Sequence, residues 1–341
     1  ENKPAYFIAE IGSNFDGDLD RAYNLINLAK EAGADAVKFQ HYTAASLVSD
    51  KGFKNLRNNT HQKNWSKSVF ETYQDASLNK EWTELLKNKA NELKIEFLTS
   101  PYSIELVDYV DKYIDCYKVG SGDIDYIEII EKITEKNKPI ILGCGASRWE
   151  DIDKVEQILS EKKVLRAYLQ CNTNYSASRE NFKYINLNVI KNMRKRYPNA
   201  LIGLSDHTNG YATVLGAITL GAKIIEKHFT DNKERKGPDH KFAMDVDDWK
   251  EMIKEARNLE NAMGDGVKII EENEKGTYLV QRRSIRVKNN LQKGHIIRRD
   301  DLEILRPQEE NGISPNLIKN IIGKKLNKNI TSGNIVSIED L

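Results

Sequence analysis

Eight short aliphatic runs, spaced through the first 228 residues and separated by stretches of helical character, constrain the fold of this chain more than any other feature. They are Tyr6 to Ile11, Ala36 to Gln40, Glu96 to Thr99, Cys116 to Val119, Pro139 to Leu142, Leu165 to Cys171, Leu201 to Ser205 and Ile224 to His228. Strands buried on both faces read as continuous aliphatic runs, and their alternation with helices marks parallel α/β architecture. Between the first two runs, Asp20 to Gly33 has apolar residues at 22, 25, 26, 28 and 29 and a terminal glycine. That spacing predicts an amphipathic helix packed outside a barrel. Between the last two runs, Gly210 to Leu220 is an apolar helix candidate closed by Gly221. Number and order together predict a (β/α)8 TIM barrel.

Each run ends in polar residues, and in such a barrel the carboxyl ends of the strands share one mouth. In chain order these residues are Glu10; Lys38 and Gln40; Thr99 and Ser100; Lys118 and Ser121; Gly143-Cys144-Gly145; Gln170 and Cys171; Ser205, Asp206 and His207; and Glu226, Lys227 and His228. A barrel used only as a scaffold would have no need of them. A lone histidine on a core strand is ordinarily structural, but His207 and His228 end neighbouring strands with carboxylates beside both, which predicts a metal or acid-base site. Two imidazoles do not close a structural site, so a Lewis-acidic divalent ion such as Mn²⁺ would keep positions open to substrate oxygens. Lys38 and Lys118, with the hydroxyls of Thr99, Ser121 and Ser205, form a candidate cradle for a phosphate or phosphate-carboxylate ligand. Schiff-base chemistry, or a snorkelling surface residue, is the other reading for each lysine. Glu10, Asp123, Glu226 and Asp239 are candidates for gripping hydroxyls or moving protons.

Charge narrows the partners. With 52 basic and 51 acidic residues the net charge is +1, so no bulk field draws the chain to nucleic acid or to a membrane surface. The basic stretch from Arg282 to Arg299 lacks interleaved aromatics and is followed by Asp300, Asp301 and Glu303, unlike a nucleic-acid face. No run of 18 apolar residues occurs, and the three cysteines, Cys116, Cys144 and Cys171, suit reduced thiols. A cytoplasmic protein is expected.

The segment from Thr43 to Asn79 is too long for a simple connection, and its aromatics, Phe53, Trp65, Phe70 and Tyr73, predict that part of it packs and partly covers the site. Asp247 to Met263 is helical in pattern. The chain then changes character, giving expected domains of 1–263 for the barrel, 264–282 for a linker and 283–341 for a small domain of short strands.

Six ordered motifs carry a resemblance: Ala9-Glu10-Ile11-Gly12-Ser13-Asn14, Val37-Lys38-Phe39-Gln40, Tyr117-Lys118-Val119-Gly120-Ser121-Gly122, Leu204-Ser205-Asp206-His207-Thr208, Glu226-Lys227-His228-Phe229-Thr230 and Gly237-Pro238-Asp239-His240. Together they resemble the sialic acid synthase (N-acylneuraminate synthase) family. Lys293-Gly294, Asp301-Leu302 and Leu305-Arg306-Pro307 resemble that family's antifreeze-like (SAF, β-clip) domain. The resemblance implies condensation of phosphoenolpyruvate with an open-chain N-acylated hexosamine, N-acetylmannosamine by default, to give a nonulosonic acid and phosphate. It puts Mn²⁺, with Mg²⁺ or Co²⁺ as alternatives, on His207 and His228. Phosphoenolpyruvate would lie on Lys38, Thr99, Lys118, Ser121 and Ser205. Sugar contacts would fall on Gln40, Asp123, Tyr175, Glu226 and Asp239, with Glu10 activating water. Arg306 would enter the partner subunit's site in a domain-swapped homodimer and contact the N-acyl group.

Four departures fall on or near this site. Asn14-Phe15-Asp16-Gly17 replaces Asn-His-x-Gly, losing an imidazole, and Gly143-Cys144-Gly145-Ala146 replaces Ser-Thr-Gly-Met, losing a hydroxyl. Gln170-Cys171-Asn172-Thr173-Asn174-Tyr175-Ser176 replaces His-Cys-Thr-Asn-x-Tyr-Pro, and Asp123 stands where glutamate is common. Such changes alter substrate choice more readily than reaction type. N-acetylmannosamine, a 2,4-diacetamido-trideoxyhexose and a phosphorylated sugar therefore all stay open as acceptors. A metal-dependent aldolase or lyase without phosphoenolpyruvate, and a non-catalytic carbohydrate-binding protein, are the competing readings.

Overall fold

The eight aliphatic runs form eight parallel strands in the computed structural model, which describes residues 3–56, 65 and 67–341. They are β1 (Tyr6–Glu10), β2 (Ala36–His41), β3 (Glu96–Pro101), β4 (Tyr117–Val119), β5 (Ile140–Gly143), β6 (Arg166–Cys171), β7 (Leu201–Asp206) and β8 (Ile224–His228). Each pairs with the next, and β1 closes on β8 through Tyr6↔Ile224 to Glu10↔His228, so the barrel has no free edge.

Strand residues alternate between two cores because successive side chains leave opposite faces of a strand. Ile8, Ala36, Leu98, Ile141, Ala167, Leu169 and Ile224 pack inside the barrel. Phe7, Val37, Phe97, Tyr117, Tyr168 and Ile225 point outward into the larger core shared with the helices. The helix Leu19–Glu31 shows why the outer layer forms. Asp18 caps it by accepting from the Arg21 amide at 3.1 Å, and Ala22, Leu25, Ile26 and Ala29 bury one stripe. The stretch after β7 gives the helix Ala212–Thr219, ended by Gly221 at φ +95°, a left-handed turn suited to glycine. The helix Val246–Met263 follows β8 and buries Trp249, Met252 and Ala256.

Between β2 and β3 the described residues include the helices Ala44–Leu47, Asp50–Asn55 and Val69–Ala76, each capped by a hydroxyl, from Thr43, Ser49 and Ser68, and then the helix Thr83–Leu93. Residues 57–64 and 66 of this segment lie outside the described residues. The expected packing of its aromatics holds for Tyr73, whose ring lies 5.6 Å from that of Tyr42 and 6.3 Å from that of Trp65.

The chain forms two compact units, 1–264 and 265–341. In the second, β9 (Ser284–Val287) pairs antiparallel with β10 (Leu302–Leu305) over a small core that includes Ile285, Val287, Ile297, Leu302, Leu326 and Val336. The stretch read as a linker carries the helix Lys275–Gln281, and Leu279 accepts a backbone hydrogen bond from Gln308 of this unit. Among the described residues no helix is long and apolar enough to cross a membrane, and Cys116, Cys144 and Cys171 are free thiols.

Candidate active site

One pleat above the inner apolar layer, the same alternation brings Glu10, Lys38, Lys118, Ser205 and Glu226 together, each less than a tenth exposed. Lys38 is ion-paired with Glu10 and lies 3.9 Å from Glu226 Oε2, while Lys118 Nζ lies 3.4 Å from Glu226 Oε1. The Ser205 hydroxyl donates to Glu226 Oε1 at 3.0 Å, and Gln40 Nε2 donates to Glu10 Oε1 at 2.7 Å. Four buried charges are tolerable only because they neutralise one another.

The two carboxylates are driven apart in acidity. Burial, seconded by the charge of Glu226, pushes Glu10 above the ordinary carboxylate range against the pull of Lys38. Burial also disfavours an ionised Glu226, but Lys118 and Lys38 outweigh it and hold that carboxyl low. Such a split is the kind a proton carrier and a fixed anion need.

His207 and His228 stand beside this cluster with ring centroids 5.3 Å apart. His207 Nδ1 lies 3.1 Å from the Asn172 carbonyl, which can only accept, so Nδ1 carries the hydrogen and Nε2 keeps its lone pair. His228 Nδ1 is buried without a hydrogen-bond partner, 4.0 Å from Asp239 Oδ2. Burial lowers both imidazoles to about 3, so both are neutral at pH 7, the form that binds metal. Among the described residues no group of three or more His, Cys, Asp or Glu is arranged for a metal. Two neutral imidazoles, one with an unpartnered nitrogen, fit a divalent ion that keeps open positions.

Beside His228 is a cavity of about 440 Å³, lined on one side by Ser13, Gln40, Ser121, Asp123, Tyr175, His228 and Asp239. Asp239 Oδ2 accepts from the Ser13 amide at 3.1 Å and hydroxyl at 2.9 Å. A side chain on Gly12, left-handed at φ +54°, would place its Cβ 2.6 Å from that same oxygen. The Tyr175 ring meets the His207 ring edge-on at 4.5 Å. Burial, with Asp125 adding and Lys118 opposing, lifts Asp123 to about 6.

The structure corrects the expected set in several places. Thr99 does not join the cradle. It is on the outer face of β3, bonded to the Phe39 carbonyl and 2.7 Å from His41 Nδ1, and its neighbour Ser100 faces inward with Oγ 3.5 Å from Lys38 Nζ. Asp206, Lys227 and Gln170 also leave the mouth. Lys227 Nζ sits 2.6 Å from Asp206 Oδ2 behind the strands, and Gln170 donates to the Ile185 carbonyl. Phe15, where an imidazole was missed, packs against Phe39 and Trp82 in the outer core, so that departure does not touch the mouth. At Gly143 an added Cβ would lie 2.5 Å from Ser121 Oγ, which accepts from the Gly145 amide at 3.0 Å. The hydroxyl of Ser121 thus occupies the room of the missing side chain. Arg306 is exposed on the second unit, just past β10. Ser13 and Ser100 were missed as site residues, and strict alternation along β3 would have found the latter.

Comparison with known proteins agrees with the barrel and the second unit. The NeuB family model matches residues 25–268, and the SAF domain model matches 282–341. The chain is 34% identical to the N,N'-diacetyllegionaminic acid synthase of Legionella pneumophila, over 96% of this chain and 92% of that protein. It is 31% identical to the human N-acetylneuraminate-9-phosphate synthase, over 95% of this chain and 89% of that one. Among solved structures, the spore coat polysaccharide biosynthesis protein SpsE of Bacillus subtilis is similar with a TM-score of 0.67 and 28% identity, covering 100% of this chain and 96% of that one. An N-acetylneuraminic acid synthetase from Leptospira borgpetersenii, crystallised with citrate, is similar with a TM-score of 0.70 and 26% identity over 81% and 90% of the two chains. A NeuB family match over residues 25–268, followed by a SAF domain over 282–341, places this chain in the NeuB family.

Proposed function

We propose that this chain is a nonulosonic acid synthase that condenses phosphoenolpyruvate with an N-acylated hexosamine and releases phosphate. The observation that carries this reading is the pairing of two buried lysines, Lys38 and Lys118, with two neutral imidazoles on a single barrel mouth. An anion with carboxylate and phosphate groups can take over the lysines' charge, while hydroxyls of Ser100, Ser121 and Ser205 orient it. The names of the similar synthases support the same class of product.

In this mechanism Lys38 and Lys118 hold phosphoenolpyruvate so that its C3 faces the sugar aldehyde carbon; the C2=C3 π pair forms the new carbon-carbon bond, the aldehyde C=O π bond breaks, and its oxygen takes up a proton to become a hydroxyl. His207 and His228 would hold Mn²⁺, or Mg²⁺ or Co²⁺, which supplies Lewis-acid polarisation of a carbonyl oxygen. Water adds at C2 of the former phosphoenolpyruvate and gives its proton to Glu10, whose pKa, raised by burial, suits proton transfer near neutrality. The tetrahedral carbon then loses phosphate to leave the keto acid. Asp239, Asp123, Gln40 and Tyr175 position the sugar, and Glu226 fixes the lysines. A homodimer in which Arg306 of the partner subunit contacts the N-acyl group belongs to the same proposal, and an unchanged acceptor KM in Arg306→Ala would remove it.

The test is incubation with phosphoenolpyruvate, Mn²⁺ and a panel of N-acylated hexosamines, with phosphate measured and the keto acid identified by mass. Phosphate release that requires both substrates supports the proposal. Absence of turnover with every acceptor overturns it, and keto-acid formation without phosphoenolpyruvate would favour an aldolase.

A further inference from the structure

His240 is fully buried, and the condensation chemistry makes no use of it. It stands in the loop that follows β8, where its ring spans two neighbours. Nε2 lies 3.0 Å from Asp16 Oδ1, and Nδ1 lies 2.8 Å from the hydroxyl of Thr230, just past the end of β8. A carboxylate oxygen can only accept, so Nε2 carries the hydrogen. Asp16 belongs to the loop that follows β1 and is left-handed at φ +50°, a conformation that aspartate tolerates better than most side chains. Arg21, on the helix after that loop, fastens the same junction. Its Nη1 lies 3.4 Å from Asp16 Oδ2, its Nη2 lies 2.6 Å from Asp231 Oδ1, and its Nε donates to the Asn14 carbonyl at 2.9 Å. The β8 loop is pressed against this junction, since a Cβ on Gly237 would lie 2.6 Å from the His240 ring. Both flanks of His240 reach the site. Asp239 immediately precedes it, with Oδ2 accepting from the Ser13 amide and hydroxyl in the β1 loop. Phe242 follows, buried, with its ring edge-on to His228 at 4.8 Å and to His207 at 5.7 Å.

From this geometry we infer that Asp16 and His240 are positioning residues: the pair clamps the β8 loop to the β1 loop and thereby holds the Asp239 carboxylate in place at the mouth. The inference rests on the synthase reading above and concerns the placing of Asp239, whichever sugar is the acceptor. Two hydrogen bonds from Ser13 orient that carboxylate, but both partners are on loops, which keep their spacing only when tied to rigid elements. The buried imidazole supplies the tie through Thr230, whose amide donates to the Met244 carbonyl at 3.0 Å. Phe242 is a separate anchor, so loss of the Asp16–His240 bond frees Asp239 and leaves the histidine pair packed. A misplacement of about 1 Å at a group that holds substrate is enough to cost up to about a hundredfold in rate.

The experiment measures the KM for the acceptor and for phosphoenolpyruvate, and Mn²⁺ binding by electron paramagnetic resonance, in Asp16→Gly, Asp16→Asn and His240→Ala. Glycine keeps the left-handed backbone and removes only the carboxylate, whereas asparagine keeps an oxygen that accepts from Nε2. Asp16→Gly is expected to raise the acceptor KM by about tenfold, with the phosphoenolpyruvate KM and the Mn²⁺ affinity each moving less than about twofold. Asp16→Asn should return the acceptor KM to within about twofold of the wild-type value. His240→Ala should show the same split, and adding Asp16→Gly to it should cost nothing more, since both changes break one bond. Should His240→Ala fail to fold, the two Asp16 variants decide alone. An unchanged acceptor KM in Asp16→Gly overturns the inference. So does a rise that Asp16→Asn shares, or one that falls equally on both substrates. If no acceptor is turned over, the synthase reading fails separately, and amide hydrogen exchange over residues 229–244 decides the clamp. Faster exchange there in Asp16→Gly but not in Asp16→Asn sustains it, and equal exchange in both removes it.

Discussion

Lys227 Nζ lies 2.6 Å from Asp206 Oδ2 with both side chains fully buried, and each residue immediately precedes one of the two site histidines. The pair sits on the outer face of β7 and β8, where Thr208 and Thr213 hydroxyls also donate to Asp206. It locks the ends of two strands in register. Lys227→Met should therefore leave an unpaired buried carboxylate and cost about 3–5 kcal/mol, whereas Asp206→Leu combined with Lys227→Met should recover much of that loss. Thermal melting of the three proteins checks both halves, and an unchanged midpoint in Lys227→Met would show that the pair does not hold the strands.

Lys38 has Glu10 and Glu226 around it and should respond differently from a surface lysine. Lys38→Met is expected to reduce kcat/KM for phosphoenolpyruvate by about 30-fold or more, the effect of truncating one partner in a buried charged set. Steady-state kinetics with the acceptor saturating would reveal it. A loss below threefold would mean that the anion binds elsewhere.

The neutral imidazoles predict a metal requirement with a direct readout. Exhaustive chelation should abolish turnover, and added Mn²⁺ should restore it. Since loss of a residue that merely supports a ligand weakens binding by about 10–100-fold, His207→Ala should weaken Mn²⁺ binding at least that much. Titration followed by electron paramagnetic resonance measures this without activity. Wild-type affinity in His207→Ala would remove that histidine from the ligand set.

Asp123, lifted to about 6 chiefly by burial, makes opposite predictions for stability and for binding. A carboxyl whose folded value is raised contributes stability that is fully present below its unfolded value of about 3.9 and lost as the pH rises through about 6. Sugar hydroxyls, by contrast, need the ionised form as acceptor. The KM for the sugar should rise as the pH drops below about 6, and Asp123→Asn should flatten that dependence. Profiles of KM against pH for the two proteins decide it, and parallel curves would exclude Asp123 as the titrating group.

The barrel was legible because its strands are buried on both faces, so aliphatic runs stood out whatever the polar loops contained. What the runs could not reveal was which polar residue at each strand end turns inward. Thr99 and Ser100 are chemically alike, and only the phase set by Leu98 and Lys38 decides between them. The same parity separates His207 from Asp206 and His228 from Lys227. Phe15 misled for another reason: its position faces helices rather than the mouth, so a missing imidazole there is a packing change. The filling of Gly143 by the Ser121 hydroxyl depends on residues 22 apart in sequence, and no local pattern encodes it.

The residues of the charge cluster and the histidine pair are dispersed over the ends of β1, β2, β4, β7 and β8, five different strands of the closed ring. Phe53, Trp65 and Tyr73, by contrast, arrive on one contiguous insertion spliced between two strands. That segment can therefore vary in sequence without any change to the strands that carry the charge cluster and the histidines.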